Sequence, residues 1–209
     1  MHIGTVAALW RYPVKSLQRE ELTLATVLAD GIEGDRTRAL IVANPDHARA
    51  GKPLRGKEHN RLHTVTGAEN GVALAEAAGV TVDVAPPDRY FDARPVSIIF
   101  NTWIADVEAL TGRNLDPLRY RPNIFAQAAP DFYLREQALI GTTLAIGTAV
   151  FMVTEPIHRC VTTTYDVATG ESDPAVLREV ALQRDNTVGV YCTVVQTGEI
   201  RVGEPISSG

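Results

Sequence analysis

Apolar residues in this chain come in short runs, and almost every run is closed by glycine or proline. Short runs rich in β-branched residues read as strands. Many of them, with only brief helical patterns between, call for a strand-dominated α+β fold. Thr5–Tyr12 is the first such run and stops at Pro13. Leu22–Leu28 alternates apolar and polar positions as a half-buried strand does, then enters a glycine-punctuated turn, Asp30–Arg36. Arg38–Ala43 reads as a further strand, and so do Leu62–Gly67 and Val80–Val84, with an alanine-rich helical piece around Glu76–Ala78 between them. Pro86-Pro87 and the polar run to Pro95 form the best seam, which divides the chain into a smaller β-rich subdomain, 1–95, and a core domain, 96–209.

Beyond the seam, Ser97–Phe100 is apolar, and Asn101 is placed to cap a helix that turns Ile104, Val107 and Leu110 inward and ends at Thr111-Gly112. Trp103 on that helix reads as a core or rim aromatic. Thr142–Ile146 is a strand set between two glycines, and Ala149–Thr154 is the next. Asp173-Pro174 opens a helix as N-cap and first-turn proline, with Leu177, Val180 and Ala181 as its apolar face. Gly189–Val195 and Glu199–Val202 flank Gln196-Thr197-Gly198 as a hairpin.

Composition narrows the function classes. A net charge of -5 and a pI near 5.5 lack the basic footprint of a nucleic-acid protein, though they leave room for one local basic pocket. No stretch approaches the ~18 apolar residues of a membrane span, and the N-terminus has no basic region leading into a long apolar core. No membrane association, no signal peptide and a cytoplasmic location are therefore expected. Two cysteines, Cys160 and Cys192, cannot by themselves build a zinc cage or an iron–sulfur site. There is no Gly-x-Gly-x-x-Gly turn for NAD or FAD.

Chemistry concentrates in Pro156–Gly170, PIHRCVTTTYDVATG. Cys160 stands between the basic pair His158-Arg159 and three threonines, just past the end of a strand. Neighbouring cations favour the thiolate, which is also a soft ligand for redox-active metals. The alternative is a small buried hydrophobe. Cys192 follows Tyr191 in an alternating strand, so the two point to opposite faces, and Cys192 reads as structural. Lys15 and Arg36 sit at strand–loop junctions where they can converge on an anion. Arg121 and Asn123 flank Pro122, which biases Arg121 toward an extended backbone. Two decoys lie in the long loop Ala43–Arg61. Gly51–Lys57, GKPLRGK, matches the glycine and lysine positions of a P-loop, but Glu58 replaces the Ser/Thr, no strand precedes it, and Pro53 removes a backbone donor. His59 and His63 stand one helical turn apart, but two ligands fall short of a zinc site.

Read in order, Tyr12-Pro13-Val14-Lys15-Ser16, Gly31-Ile32-Glu33-Gly34-Asp35-Arg36, Arg121-Pro122-Asn123-Ile124, Arg159-Cys160-Val161-Thr162-Thr163 with Asp166 and Thr169-Gly170, Gly189-Val190-Tyr191 and Gly198–Glu204 resemble the motifs of the MOSC family. That is the domain of molybdenum-cofactor sulfurases and of the amidoxime-reducing components. The resemblance covers nearly the whole chain and implies a β-barrel core. It departs at Trp103, where reductase members place a cofactor-lining serine and Thr102 lies alongside, at Tyr133–Ile140, and at Tyr165-Asp166-Val167.

The resemblance implies a molybdopterin-type cofactor with Cys160 as molybdenum ligand. Lys15, Ser16, Arg36, Arg121, His158 and Arg159 would hold its phosphate and pterin, with Thr102, Asn123 and Tyr191 as further contacts. It implies reduction of N-hydroxylated or N-oxide-type small molecules; the alternative is a carrier of the cofactor, or of a persulfide on Cys160, without turnover. With no four-cysteine cluster pattern in the sequence, electrons are expected from a separate protein.

Overall fold

The computed structural model describes residues 1–209. Seven strands close on themselves. Around the barrel they run β13 (Pro205–Ser208), β9 (Thr143–Ile146), β10 (Ala149–His158), β11 (Thr187–Gln196), β7 (Val96–Phe100), β8 (Ile124–Ala128) and β1 (His2–Arg11), and β1 bonds back to β13. Neighbours are antiparallel except β7 and β8. Parallel neighbours need a crossover, which here contains helix α2 (Asn101–Thr111). The fold is the strand-dominated α+β barrel with short helices that the sequence pattern calls for.

Inward positions of the staves form one large core that includes Ile3, Val6, Leu9, Phe151, Val153, Val190 and Cys192. β7 is buried on both faces, from Val96 to Phe100, because α2 covers its outer side. Phe100 stacks on Phe132 with ring centroids 4.5 Å apart and meets Trp103 edge-on at 5.0 Å. A small sheet of β3 (Leu24–Leu28), β4 (Gly31–Ile32) and β12 (Gly198–Arg201) joins this core through Ala25, Val27, Ile32 and Ile200, while β2 (Glu20–Leu22) pairs with the end of β1.

A second core lies apart from the first. It gathers Val14, Leu17, Leu40, Val42, Leu54, Leu62, Ala75, Val80 and Val82 around the paired strands β5 (Leu40–Val42) and β6 (Val82–Val84) and helix α1 (Ala68–Ala77). Gly71 lets α1 lie close on this core, since a Cβ there would sit 2.8 Å from Leu17 Cδ1. Most of this small lobe is inserted between β4 and β7, with Val14 and Leu17 added from the segment after β1, whereas β1, although N-terminal to the seam at residue 95, is a stave of the barrel.

Several expectations are corrected. Leu62–Gly67 is not a strand: Asn60–Thr64 forms a 3-10 turn that buries Leu62 and His63. The run Leu22–Leu28 breaks at Thr23, so that β2 pairs with β1 and β3 with β12. On α2 the inward residues are Trp103, Ile104 and Val107, and Leu110 is exposed. Asn101 does not cap that helix, because its side-chain oxygen accepts from Ala128 N at 2.8 Å and ties α2 to β8. Helix α4 (Pro174–Gln183) has the expected Asp173 cap but buries Val176 and Val180, leaving Ala181 exposed. β11 and β12 do not form a hairpin. The chain turns away after Gln196, Glu199 N bonds to Thr148 Oγ1 at 2.8 Å, and Ile200 is buried beside β3.

Candidate functional site

The site is built where the end of β1 meets the turn after β4. Tyr12 N donates to Asp35 Oδ1 at 2.7 Å, Arg36 N donates to Tyr12 O at 2.7 Å, and Lys15 N donates to Arg38 O at 2.8 Å. These bonds zip the two segments together and hold Lys15, Ser16 and Arg36 side by side. The lock is tight enough to impose unfavourable backbone. Of the five non-glycine residues with positive φ, three are Ser16 (φ 72°), Arg36 (φ 48°) and Arg121 (φ 53°), and all three line one cavity. Left-handed backbone costs an L-residue roughly 1–2 kcal/mol, and such strain clusters at functional sites. Arg121 thus departs from the extended backbone expected before Pro122. It closes the 3-10 turn Pro117–Tyr120, with its N–H on Leu118 O, and its carbonyl accepts from Arg36 Nη2 at 3.2 Å.

Two adjoining cavities form a continuous cleft between the lobes, with volumes of about 160 and about 220 Å³. Arg36, Asp92, Arg121, Cys160 and Thr162 border both. The barrel-side cavity adds Ser97, Arg119, Tyr120, His158, Arg159 and Tyr191. The other adds Lys15, Ser16, Arg55, Gly56, Lys57 and His63 from the small lobe. Cys160 is exposed, at the head of the 3-10 turn Val161–Thr164, with Sγ 3.1 Å from Thr162 Oγ1. Cys192 is sealed in the barrel core, where burial pushes its thiol well above the usual range.

The cleft is cationic in an acidic protein. Lys15, Arg36, Arg55, Lys57, Arg119, Arg121 and Arg159 line it, against one carboxylate, Asp92. Four of these cations have acid partners: Lys15 with Asp92, Arg36 with Asp35, Arg55 with Glu58 and Arg119 with Asp166. Lys57, Arg121 and Arg159 have none. Burial pushes both Arg121 and Arg159 down to about 10, so both remain charged at neutral pH. Arg159 is turned inward onto Tyr120 O at 2.9 Å and Val188 O; it is not the free cation beside Cys160 that the sequence suggests. Arg121 and Arg36 clasp the Tyr12 ring at 4.2 and 4.8 Å, an arrangement in which the aromatic face stabilises and aligns both guanidiniums. Burial raises the Tyr12 hydroxyl to about 12, and it donates to Pro122 O at 3.1 Å.

Eight of the expected site residues border the cleft, and two do not. Asn123 lies beneath it, buried: its Oδ1 accepts from Ser97 N and Oγ, and its Nδ2 donates to Trp10 O. It is a strut that holds β7 and β8. Thr102 sits in the first turn of α2 and borders neither cavity. The hydroxyl on that side belongs to Ser97, on β7. Sequence reasoning also left unassigned Tyr12, Asp35, Asp92, Arg119 and the segment Arg55–Lys57. That last segment is the tail of the false P-loop, and it reaches the cleft by another geometry. Gly56 packs so closely on the His63 ring that a Cβ would overlap it, and Gly56 N donates to Ser16 Oγ at 3.0 Å. Burial, then the Arg121 charge, pushes His63 down to about 3. It is therefore neutral, and its Nδ1 accepts from Arg121 Nη1 at 3.4 Å. His59 borders a different groove, so the two imidazoles do not converge.

A closed barrel carrying a thiol in a cationic cleft defines the class. The sequence model of the MOSC domain matches residues 81–207, more than half of the chain. The chain belongs to the MOSC domain family, which is associated with the molybdenum cofactor. No curated protein matches the sequence. Among solved structures, the YuaD protein of Bacillus subtilis aligns with a TM-score of 0.59 at 14% identity, over 99% of this chain and 95% of its own. YiiM of Escherichia coli aligns at 0.50 and 13% identity, over 100% of this chain and 70% of its own. At these identities the likeness is one of fold. No helix is long and apolar enough to cross a membrane.

The lining fits the cofactor this family is associated with. Arg121 Nη2, Tyr120 Oη and His63 Nε2 are buried without hydrogen-bond partners, and all three residues border the cleft. Orphaned donors of this kind cost free energy until a ligand meets them. Unmet donors in a cationic lining are the chemistry that an anionic, acceptor-rich ligand calls for.

Proposed function

We propose that this protein holds the molybdenum cofactor in the cleft, with Cys160 Sγ as its protein ligand, and works as a reductase of N-hydroxylated or N-oxide-type small molecules, as amidoxime-reducing members of the family do. The observation that carries this reading is the pairing of an exposed thiol with a largely buried guanidinium, Arg121, that lacks any carboxylate and keeps an unpartnered Nη2. A desolvated, unpaired cation is costly, and a bound anion removes that cost. Lys15, Ser16, Arg36 and Arg121 would take the phosphate end, with arginine forks suited to its oxygens and Lys15 as a point charge. Arg159, His158 and Tyr191 would border the pterin beside Cys160. When bound, the cofactor supplies the two-electron redox step. The chain's residues bind its charge, fix its orientation through the clasped Tyr12 and the Ser97–Asn123 strut, and wall it from solvent between the lobes. Electrons would come from a separate protein docking near the cleft.

The test is metal analysis of protein loaded in a molybdenum-cofactor-producing host, with Cys160→Ala alongside, followed by turnover of an amidoxime with a reduced dye. Stoichiometric molybdenum, lost in the variant, and dye-driven turnover that NADH or NADPH alone does not support are expected. Turnover that survives in Cys160→Ala overturns thiolate ligation. The exposure of Cys160 also suits a carrier of cofactor or persulfide, and bound molybdenum without turnover would favour that reading.

A further inference from the structure

Asp92 is the one acidic side chain in the cleft, and it borders both cavities. It sits on the irregular segment between β6 and β7, among cations from three separate stretches of chain: Lys15 after β1, Arg36 in the turn after β4, and Arg121 before β8. Its carboxylate pairs with Lys15 Nζ, whose other partner is Tyr90 O at 2.9 Å on the same segment. Those cations hold the Asp92 carboxyl below the usual range, so it is an anion at neutral pH.

The neighbouring pair is a contrast. Asp35 is fully buried beneath Arg36 and also accepts from Tyr12 N, so it cannot leave without opening the fold. The Asp92 side chain is 76% exposed and its carboxylate has no hydrogen-bond partner but Lys15. Lys15 is largely buried, but with the carboxylate this exposed the pair is screened by water and contributes little. It can part without disturbing either core.

We propose that Asp92 is a built-in occupant of the anion site at Lys15, an internal carboxylate that the phosphoryl group of an incoming ligand must displace. One carboxylate brings a single charge to a place bordered by Lys15, Arg36 and Arg121. A phosphate monoester or diphosphate brings two or more, with several acceptor oxygens. A tethered group competes at an effective concentration set by its tether, so Asp92 keeps weak monoanions out of the site and yields to a doubly charged phosphoryl group. The segment that carries it swings clear when the ligand enters. This deepens the reading of the cleft as a site for a phosphate-bearing cofactor and rests on it.

The experiment uses pyrophosphate without metal as the probe, measured by calorimetry on the full chain. Asp92→Asn should bind it about tenfold more tightly than the wild type, and the double variant Asp92→Asn/Lys15→Met should lose that gain. Amide exchange across residues 88–95 of the wild type should rise when pyrophosphate is added. Unchanged or weaker binding by Asp92→Asn overturns the proposal, and so does a gain that persists without Lys15. An Asp92 segment equally protected with and without pyrophosphate overturns the displacement. Because no molybdenum is involved, failure of the cofactor reading would show only in the metal analysis, and the two outcomes stay separable.

Discussion

Arg184 and Arg121 are both withdrawn from solvent, one on the closed side of the barrel and the other in the cleft. Arg184 follows α4 and is 1% exposed. Its guanidinium meets Glu136 Oε1 at 2.6 Å, Asp106, and Thr187 O at 3.4 Å. Glu136 stands in the short helix α3 (Glu136–Leu139), fully buried, and also accepts from Gly189 N at 3.1 Å. That cation is answered from α2, from the short helix and from the start of β11, and it fastens them together. Arg121 has a neutral imidazole, an aromatic face and an unpartnered Nη2. One arginine is architecture. The other carries a charge the fold leaves open, at the backbone cost of a left-handed φ of 53°.

The largest effect should come from breaking the closed side. Glu136→Ala leaves Arg184 buried with only the exposed Asp106 as an acid partner, and removing one partner of a buried pair costs about 3–5 kcal/mol. Urea unfolding should show that loss; a change under ~1 kcal/mol would erase the contrast. The next effect is a pH dependence on the cleft side. His63 is held near 3 in the folded protein, against ~6.5 when unfolded. The unfolded chain therefore binds the extra proton first. The contribution is complete above the unfolded value and is lost as pH falls from about 6.5 toward 3, at up to about 1.4 kcal/mol per pH unit. His63→Gln should flatten that acid limb, and an unaltered slope would show that other groups set it.

A smaller change in stability separates the two arginines directly. Arg121→Met removes a charge that no carboxylate answers, so the unfolding free energy of the unliganded protein should stay within about 1 kcal/mol. Pyrophosphate affinity should fall at least tenfold. If the variant is as destabilised as Glu136→Ala, Arg121 belongs with the architecture after all. The smallest effect is expected for Cys160→Ala, which alters an exposed side chain and should move stability by no more than ~0.5 kcal/mol. A clear destabilisation would mean that the thiol packs, and would weaken its reading as a ligand.

How much was legible in the sequence follows from the range of the interactions involved. Strand runs such as β1 and β7, the Asp173-Pro174 helix start and the opposite facing of Tyr191 and Cys192 depend on neighbours within a few residues, and alternation or capping reports them directly. The ordered motifs also mark Lys15, Ser16, Arg36, Arg121, His158, Arg159, Cys160 and Tyr191, all of which border the cleft. The errors lie where a distant partner overrode a local preference. Pro122 argues for an extended Arg121, yet the 3-10 turn behind it and Arg36 on its carbonyl hold it left-handed. Asn101 is a good cap by type, but Ala128 on the adjacent strand claims its oxygen. Thr197-Gly198 looks like a hairpin turn, but β3 needs Ile200 to cover Ala25 and Val27.

Asp92 carries no local mark at all, because a charge on a polar loop reads as a solvated surface wherever it falls, and the mark that Arg55 and Lys57 carry, a P-loop look-alike, points to the wrong chemistry. Strand content, the thiol loop and its cationic neighbours were decided by the sequence alone, through periodicity and residue chemistry. Which cations are answered and which are left open was decided only when barrel closure and insertion of the small lobe set distant side chains within hydrogen-bonding range. That choice depends on separations in space, which spacing along the chain does not encode.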